Sequence, residues 1–409
     1  MKIVKSLAER AGLDGLNYPV PSHANTLPYM LGGLIFFAFL IQAVSGIWLA
    51  QYYNPDPAQS YQSVIYIITQ VPYGDFIRSL HFWTANLIFV ILIAHLLRVF
   101  ITGSYKRPRE LTWYLGVLLL AVMFAFVFSG SVLKWDQEGM EALGHSKEVG
   151  EMFGIFGSYF NDNFSGSLSL LSRMYTLHIN ILVLAFIALV AGHFLLIKKH
   201  GISPKVTVQE IARSTEGEGG SKFSRHLVKL LGAGLLLLFV AGALALFFPA
   251  PLGHPSVPDT EVTKPWWMFY PFVALENFFD VPGMVWGGAV LFAFLLAVPL
   301  IDGGPYVSPR RRRLVIALGT IFLTIFVGLG IYAWLSPSKA HLEAARDNRQ
   351  QTLLAPSAEP VNLNRHEPAA QLIVISFLLL LGGVSGSILL LIPHREGGEK
   401  LETGKNYSS

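Results

Sequence analysis

Eight long apolar stretches constrain this chain more than any other feature of its 409 residues. A helix that crosses a bilayer needs about 20 apolar residues, and every stretch reaches or approaches that length. Charged residues make up only 14% of the chain, whereas soluble proteins carry roughly a quarter. The sequence therefore predicts an all-α integral membrane protein with eight transmembrane helices, near 29–50, 80–101, 112–133, 177–197, 230–250, 284–301, 314–335 and 371–392.

The spans divide into two groups of four around a polar segment rich in glycine and serine. We expect an amphipathic N-terminus and a four-helix bundle in residues 1–200, a linker in 201–228, and a C-terminal domain with four transmembrane helices in 229–409. The long loops 134–176 and 251–283 fall on the side opposite the linker. Their scattered aromatic residues are typical of lids, docking surfaces or plain connecting structure.

Basic residues are distributed unevenly between the two sides of the predicted membrane. The side with both termini and the linker carries 20 of the 30 lysines and arginines, and the other side carries nine. The positive-inside rule therefore places both termini and the linker in the cytoplasm, for a multi-pass protein of the bacterial cytoplasmic membrane. The run Arg310 to Arg313 is typical of a topology anchor, and nucleic-acid binding is not expected.

Four histidines lie inside predicted spans, where an ionisable side chain is costly and usually functional. His81 and His95 are fourteen residues apart in the second span, so they share a helix face about 21 Å apart in height. His178 and His193 are fifteen apart in the fourth span, a little off that face. The two spans run in the same direction. His81 is therefore expected to face His178 near the outer surface, and His95 to face His193 near the cytoplasm.

Two stacked pairs of imidazoles inside a helical bundle favour two b-type haems over other roles. A zinc site would need more ligands at each level. A single buried histidine is more often a packing or proton-relay residue, but four at matched depths are not. A haem-free transporter with intramembrane histidines remains the alternative from another functional class.

Glycines and arginines accompany the histidines. Glycines recur at fourteen residues in the first and third spans, where they either let a flat macrocycle approach the backbone or serve ordinary helix packing: Gly32, Gly46, Gly116 and Gly130. Arginines flank the histidines at the membrane edges, where they either bind haem propionates or anchor the helices at the interface: Arg78, Arg98 and Arg173.

Several phrases around these residues resemble cytochrome b of the bc-type complexes, and specifically its chloroplast and cyanobacterial branch. They include HLLRVFITGSYKRPRELTWYLGV from His95, SVLKWDQ at 131–137, SRMYTLH at 172–178 and HFLLIKKHGIS at 193–203. The second half, with PLIDGGPYVSPRRRR, is similar to the separate three-helix partner subunit of that branch, here fused and followed by one more helix.

The resemblance implies a di-haem subunit that carries electrons across the membrane between a quinol-oxidising site and a quinone-reducing site. In the family, one quinol electron passes to a Rieske iron–sulfur protein and the other crosses through the two b haems, while protons are released outside and taken up inside. The expected partners are a Rieske protein, c-type cytochrome subunits, quinone and membrane lipid, in a complex that is expected to be homodimeric.

The chain departs from the family in the outer loop before the sixth span. The family has a Pro-Glu-Trp-Tyr motif whose glutamate is thought to accept a quinol proton, and here Trp266 and Met268 replace the glutamate and the tyrosine. Glu276 and Asp280 are the candidate substitutes. Trp266 and Trp267 are expected to form an aromatic wall. The departure leaves open a Rieske-independent subunit that works with a multihaem cytochrome c, and even one that runs toward quinone reduction.

Two further expectations concern the cytoplasmic side. A quinone site is expected beside the inner haem, lined by His23, Lys199 or His200, which could instead be simple interface anchors. The chloroplast branch holds an extra haem through a cysteine in the first span. This chain has no cysteine and carries Met30 there, which excludes a covalent third haem but leaves a non-covalent one open. The absence of cysteine also excludes disulfides and Cys-ligated iron–sulfur clusters.

Overall fold

The computed structural model describes Arg10, Gly15 and residues 18–203, 221–257 and 263–336. Within these ranges the chain is almost entirely helical. Its long helices are α1 (Leu27–Ala50), α2 (Ser60–Thr69), α3 (Gly74–Ile101), α4 (Glu110–Leu133), α5 (Gln137–Met152), α6 (Leu170–His200), α7 (Phe223–Phe247), α8 (Tyr270–Ile301) and α9 (Arg313–Leu335).

Seven of these helices are long and apolar enough to cross a membrane, which confirms the prediction of an all-α membrane protein. They are α1, α3, α4, α6, α7, α9 and the segment Trp267–Ile301 that contains α8. The eighth predicted span, 371–392, lies outside the described residues. A two-residue antiparallel β-ladder, Pro19–Val20 with Ser221–Lys222, ties the start of the described chain to the start of α7.

The sixth span is longer than the sequence indicated, and its predicted start at 284 is wrong. Helix α8 begins at Tyr270 and contains Pro282. Asp280 interrupts the helix with φ 56° and ψ −165°, a left-handed backbone conformation that non-glycine residues seldom adopt. Proline cannot donate an intrahelical hydrogen bond and disfavours helical geometry in the residues before it, so the break falls at this point. The hydropathy pattern indicated only the part of α8 that follows the break.

The four N-terminal spans form two tightly packed helix pairs. Helix α1 packs extensively on α3, and α4 packs extensively on α6, whereas few backbone contacts join one pair to the other. Side chains fill the middle of the space between the pairs: the Phe39 and Phe186 rings stack with centroids 3.6 Å apart. The space above and below this aromatic layer is where the histidine side chains project.

The C-terminal helices are fastened to the outer end of this bundle by the segment 248–257. Trp83 Nε1 donates to the carbonyl of Phe248 at 2.6 Å, and Ser79 Oγ accepts from the backbone N–H of Ala250 at 2.8 Å. Fully buried Asp136 accepts from the backbone N–H of Gly253 at 2.9 Å. Because the bundle residues satisfy the backbone groups of this segment, its path is fixed without regular secondary structure.

A second fastening lies at the C-terminal end of α3 and uses a member of the arginine run. Arg312 is only 4% exposed, so this member of the run has a structural role in addition to the predicted one of a topology anchor. Its Nε donates to Asp302 Oδ2 at 2.6 Å, and its Nη2 donates to the Phe100 carbonyl at 3.0 Å. Tyr105 and Lys106 also donate to the Asp302 carboxylate, at 2.6 and 2.7 Å. The network joins α3 and the loop after it to the α8–α9 turn.

Candidate haem and quinone sites

The outer histidine pair meets between α3 and α6. The ring centroids of His81 and His178 are 6.5 Å apart, with the ring planes inclined by 59°. Two imidazole–metal bonds of about 2 Å, together with the two ring radii, span roughly 6 Å between centroids. The pair is therefore spaced to hold one metal ion between two ring nitrogens.

Serine hydroxyls fix the orientation of both outer rings. Ser45 Oγ lies 2.9 Å from His81 Nδ1, and Ser129 Oγ lies 2.9 Å from His178 Nδ1. Each hydroxyl donates its own proton to the carbonyl four residues earlier, Ile41 at 2.7 Å and Ala125 at 2.6 Å. Each serine oxygen must then accept from Nδ1–H, which leaves the lone pair on Nε2 for a metal.

The inner pair, His95 and His193, lies on the same two helices, nearer the C-terminal end of each. The Nδ1 atoms of both rings are buried and make no hydrogen bond of normal geometry within the described chain, although His193 faces the carbonyl of Thr112. A buried polar nitrogen without a partner is rare in a folded protein. At this level, hydrogen bonding of normal geometry to the described chain therefore does not fix Nδ1 of either ring.

Glycine lies against every one of the four rings. A Cβ built on Gly46 would stand 3.2 Å from His81 Cε1, and one on Gly130 would stand 3.1 Å from His178 Cε1. At the inner level the corresponding distances are 3.3 Å from Gly32 to His95 and 3.5 Å from Gly116 to His193. A side chain at these positions would crowd the imidazoles, so the glycines keep both levels open beside the rings.

A wide helical turn explains the unequal histidine spacings. Residues Leu177–Ile181 form a π-helical turn inside α6, and this turn contains His178. A π turn absorbs one extra residue without changing the direction of the helix. The fifteen-residue spacing from His178 to His193 therefore positions the rings much as the fourteen-residue spacing in α3 does.

The three flanking arginines share a feature that the sequence does not show. Arg78 and Arg173 use their terminal nitrogens on backbone carbonyls, Ala250 and Pro251 for the first and Tyr159 and Asn161 for the second. Arg98 donates to Ser203 Oγ at 3.2 Å. In all three the buried Nε has no hydrogen-bond partner within the described chain. Each guanidinium is thus held in place while its Nε–H group still lacks an acceptor. A carboxylate is a suitable acceptor for that group.

The residues at both levels fit haem. Within the described ranges, no three or more side chains of histidine, cysteine, aspartate or glutamate converge on one point, so each level offers two imidazoles only. Haem iron needs two axial ligands, since the porphyrin supplies the other four. The open glycine faces suit a planar ring, and the Nε atoms of the arginines suit its carboxylates.

The outer-loop tryptophans point into the bundle. The indole N–H groups of Trp266 and Trp267 both donate to Asn86 Oδ1, each at 2.8 Å. The Trp266 ring also packs edge-on against Phe89, with centroids 4.9 Å apart. The position that holds glutamate in the family is therefore part of an aromatic wall, and it has a polar anchor in Asn86 that the sequence did not single out.

The two candidate acids of the outer side differ in their surroundings. Glu276 Oε1 lies 2.8 Å from His145 Nε2, and the two side chains are 17% and 23% exposed. The His145 ring is oriented by the carbonyl of Glu141, 2.9 Å from Nδ1. Asp280 is exposed at the break in α8. The structure thus brings Glu276 and His145 together as a partly buried carboxylate–imidazole pair.

Of the three residues predicted to line the inner quinone site, His23 lies in a cluster with Arg98. His23 Nε2 donates to the carbonyl of Ser203 at 3.0 Å, and its ring centroid is 4.6 Å from that of Tyr29. The Arg98 guanidinium lies 3.8 Å above the same Tyr29 ring. Lys199 and His200 lie at the end of α6, exposed and half-buried respectively, and Met30 is buried in α1.

Sequence reasoning missed the serines, Asn86 and His145. The serines had a signal: Ser45 and Ser129 each precede the second glycine of a pair, as the repeated dipeptide Ser-Gly. Asn86 and His145 had none, because their partners are 180 and 131 residues away in the chain.

Comparisons with known proteins agree on one family. Residues 16–201 match the family model described as Cytochrome b/b6/petB. Cytochrome b6 of Heliobacterium mobile is 40% identical over 194 residues, which are 46% of this chain and 91% of that protein. The menaquinol:cytochrome c reductase cytochrome b subunit of Bacillus subtilis is 36% identical over 201 residues, 46% of this chain and 90% of that protein.

A solved structure, described as a hyperthermophilic respiratory Complex III, shares the fold over nearly the whole chain. It aligns with a TM-score of 0.70 and 23% identity, and it covers 94% of this chain and 99% of the solved chain.

Proposed function

Since this chain belongs to the cytochrome b/b6 family, we propose that it is the di-haem b subunit of a quinol-oxidising bc-type complex and carries electrons across the membrane between quinol and quinone sites. The observation that carries the proposal is the repetition of one arrangement at two depths, an imidazole pair with a glycine against every ring. Bound haem supplies a reversible one-electron carrier at each level.

The residues of the chain have three tasks in this proposal. His81 and His178 hold the outer haem, and His95 and His193 hold the inner one. Arg78, Arg173 and Arg98 would bind the haem propionates at the membrane edges, which the unsatisfied Nε atoms support. Phe39 and Phe186 exclude water from the space between the two levels. The bundle of 1–200 thus forms the electron-carrying domain, 201–228 the linker and 229–409 a fused counterpart of the partner subunit.

The experiment that tests the proposal measures haem and its reduction by quinol. The purified protein should contain two b-type haems per chain by the pyridine haemochromogen assay. In its native complex, both should become reduced on adding a menaquinol analogue. A protein that contains no haem would contradict the proposal and favour the transporter. Haems that do not respond to quinol would contradict the proposed quinol oxidation.

A second candidate function follows from Trp266. Because the family glutamate is replaced by an indole bonded to Asn86, the chain is also suited to a Rieske-independent complex with a multihaem cytochrome c. The subunits that copurify with the chain distinguish the two. A Rieske cluster, seen by its EPR signal, supports the first function, and a multihaem c-type cytochrome without that signal supports the second. The same purification shows whether the complex is a homodimer.

At the outer site, Glu276 with His145 is the proton acceptor in our proposal. Glu276→Gln removes the titrating group and keeps the size of the side chain, so quinol oxidation should slow about 10²-fold, as expected for loss of a general base. The rate of b-haem reduction by quinol, measured against pH, gives the readout. The control is Glu151→Gln, which removes an exposed acid from the outer helix α5. An unchanged rate and pH profile in Glu276→Gln would rule out this acceptor, and a loss in Asp280→Asn would transfer the role there.

At the inner site, we assign proton delivery to His23, Lys199 and His200. A quinone that is reduced needs donors at the water-facing end of its pocket, so removing all three should slow quinone-dependent reoxidation of the b haems about 10²-fold. The triple variant His23→Leu, Lys199→Ala, His200→Leu is compared with Lys198→Ala, which removes an adjacent exposed charge. Reoxidation as fast as in the unaltered protein would show that these residues are only interface anchors.

The proposed orientation places both termini and the linker in the cytoplasm. Protease added to sealed, right-side-out membranes should leave the linker intact, because the basic side of the protein faces inward. Permeabilised membranes are the control and should show cleavage. Cleavage of sealed membranes within 201–228 would reverse the orientation and the assignment of outer and inner haems.

A further inference from the structure

The two haem levels of the proposed function differ in one respect that the histidine pattern does not reveal. At the outer level each imidazole has a serine hydroxyl at its Nδ1, at 2.9 Å in both cases. At the inner level the residues in the matching positions, before Gly32 and Gly116, are Leu31 and Leu115. The side chain of leucine has no atom that could accept a hydrogen bond from Nδ1–H of an imidazole.

The serines are placed to accept a proton rather than to donate one. Both are buried, Ser45 at 4% and Ser129 at 0% exposure, and both hydroxyl protons are engaged by carbonyls of their own helices. The carbonyls of Gln42 and Phe126 lie beside the same histidine rings. Nδ1–H of each outer histidine is therefore surrounded by acceptors.

A hydrogen bond from Nδ1–H makes an imidazole a more basic ligand, and its removal typically changes metal affinity 10–100-fold. A more basic ligand stabilises the ferric state, which carries the higher charge, more than the ferrous state. Since only the outer level has the serines, the effect is confined to one of the two sites.

We propose that Ser45 and Ser129 are positioning residues that lower the reduction potential of the outer haem relative to the inner one, and so direct electrons from the outer surface toward the cytoplasm. The inference rests on the proposed function, because it requires haem at both levels. The serines contact the ligand rings and not the haem.

The test is a potentiometric titration of both haems in Ser45→Ala and Ser129→Ala, in the full complex. Each substitution should make the outer haem easier to reduce by up to about tenfold in the ferrous-to-ferric ratio at fixed ambient potential, and tenfold corresponds to about 59 mV for a one-electron couple. The neighbouring carbonyls keep part of the hydrogen bond, so the shift is smaller than for its complete loss. The inner haem should titrate as before.

Two variants separate this effect from simple packing. Ser129→Thr keeps the hydroxyl and should keep the potential. Ser131→Ala removes a hydroxyl from the same helix, two residues on and therefore on another face, and should leave both potentials unchanged. Low-temperature EPR of the ferric outer haem gives an independent readout, since a change in ligand basicity alters its g values.

The outcomes distinguish the inference from the function on which it rests. Two haems with quinol-dependent reduction, and an outer potential that rises in both alanine variants but not in Ser129→Thr, support the inference. Two haems whose potentials and g values are unchanged in the alanine variants, or a shift of the inner haem alone, overturn it and leave the proposed function intact. A protein without two b-type haems overturns both.

Discussion

Replacing His193 with leucine should leave the protein with one b-type haem in place of two. The substitution removes one of the two imidazoles that would hold the inner haem, and Nδ1 of this ring has no hydrogen-bond partner in the described chain. Leucine cannot bind iron and puts an apolar side chain into the space beside Gly116. The outer pair lies four helical turns away, behind the stacked rings of Phe39 and Phe186, so its haem should remain. The pyridine haemochromogen assay should give about half the haem per chain.

The matched control is His226→Leu. His226 is also largely buried, at 9% exposure, but its ring faces Asn25 Oδ1 at 3.2 Å and lies on α7 outside the bundle. This variant should retain both haems. Full haem content in His193→Leu, or equal loss in His226→Leu, would contradict the ligand assignment.

Replacing Asp302 with alanine should destabilise the protein by about 3–5 kcal/mol, the usual cost of leaving one partner of a buried ion pair without compensation. Arg312 would remain buried with its charge, because its other bonds are to carbonyls and to Tyr105. The midpoint of unfolding in detergent gives the readout. Asp162→Ala is the control: its ion pair with Lys147 is short, 2.6 Å, but 63% of the aspartate side chain is exposed, so about 0–1 kcal/mol is expected.

The same cluster predicts how stability depends on pH. Burial alone would raise the pKa of Asp302, but hydrogen bonds from Lys106, Tyr105 and Arg312 outweigh it and hold the pKa below its usual value. The carboxylate therefore contributes stability that is fully present above its unfolded-state pKa of about 3.9 and is lost as pH falls through the lower folded-state value. The difference in unfolding midpoint between the unaltered protein and Asp302→Ala should thus narrow only in acid. A difference that is the same at all pH values would show that the carboxylate charge does not contribute.

The sequence predicted the membrane-spanning architecture because hydropathy and length are local properties. It also predicted that the four histidines lie at two levels, because a helical repeat of fourteen residues follows from the residue numbers alone. It could not show how α6 accommodates fifteen, because a π turn has no residue signature in Leu177–Ile181 and depends on packing. The early start of α8 escaped notice for a related reason. Polar Asn277 and Asp280 interrupt the apolar run, so hydropathy indicated a span only after the break at Asp280, although α8 begins ten residues before it.

Polar pairs from distant parts of the chain were the least predictable features. Glu276 was a candidate by composition, but its partner His145 comes from a helix 131 residues earlier. The run Arg310 to Arg313 was interpreted only as a topology anchor, and nothing in it distinguishes Arg312 from its neighbours. Arg312 is buried because its guanidinium pairs with the carboxylate of Asp302. Asp302 lies in a turn that the hydropathy pattern marks only as the end of a span.

The two fastenings described for the fold bear on gene organisation. Tyr105 and Lys106 with Asp302 at one end, and Asp136 with Gly253 at the other, join the two halves through side-chain and backbone contacts that do not involve the linker. A covalent connection between halves that already recognise each other contributes mainly effective concentration. Fusion of the two coding regions therefore needs no new interface, and their separation destroys none. Co-expressed as two polypeptides divided within 204–220, the halves should still assemble in the membrane, with only the stoichiometry of synthesis left to be matched by the cell.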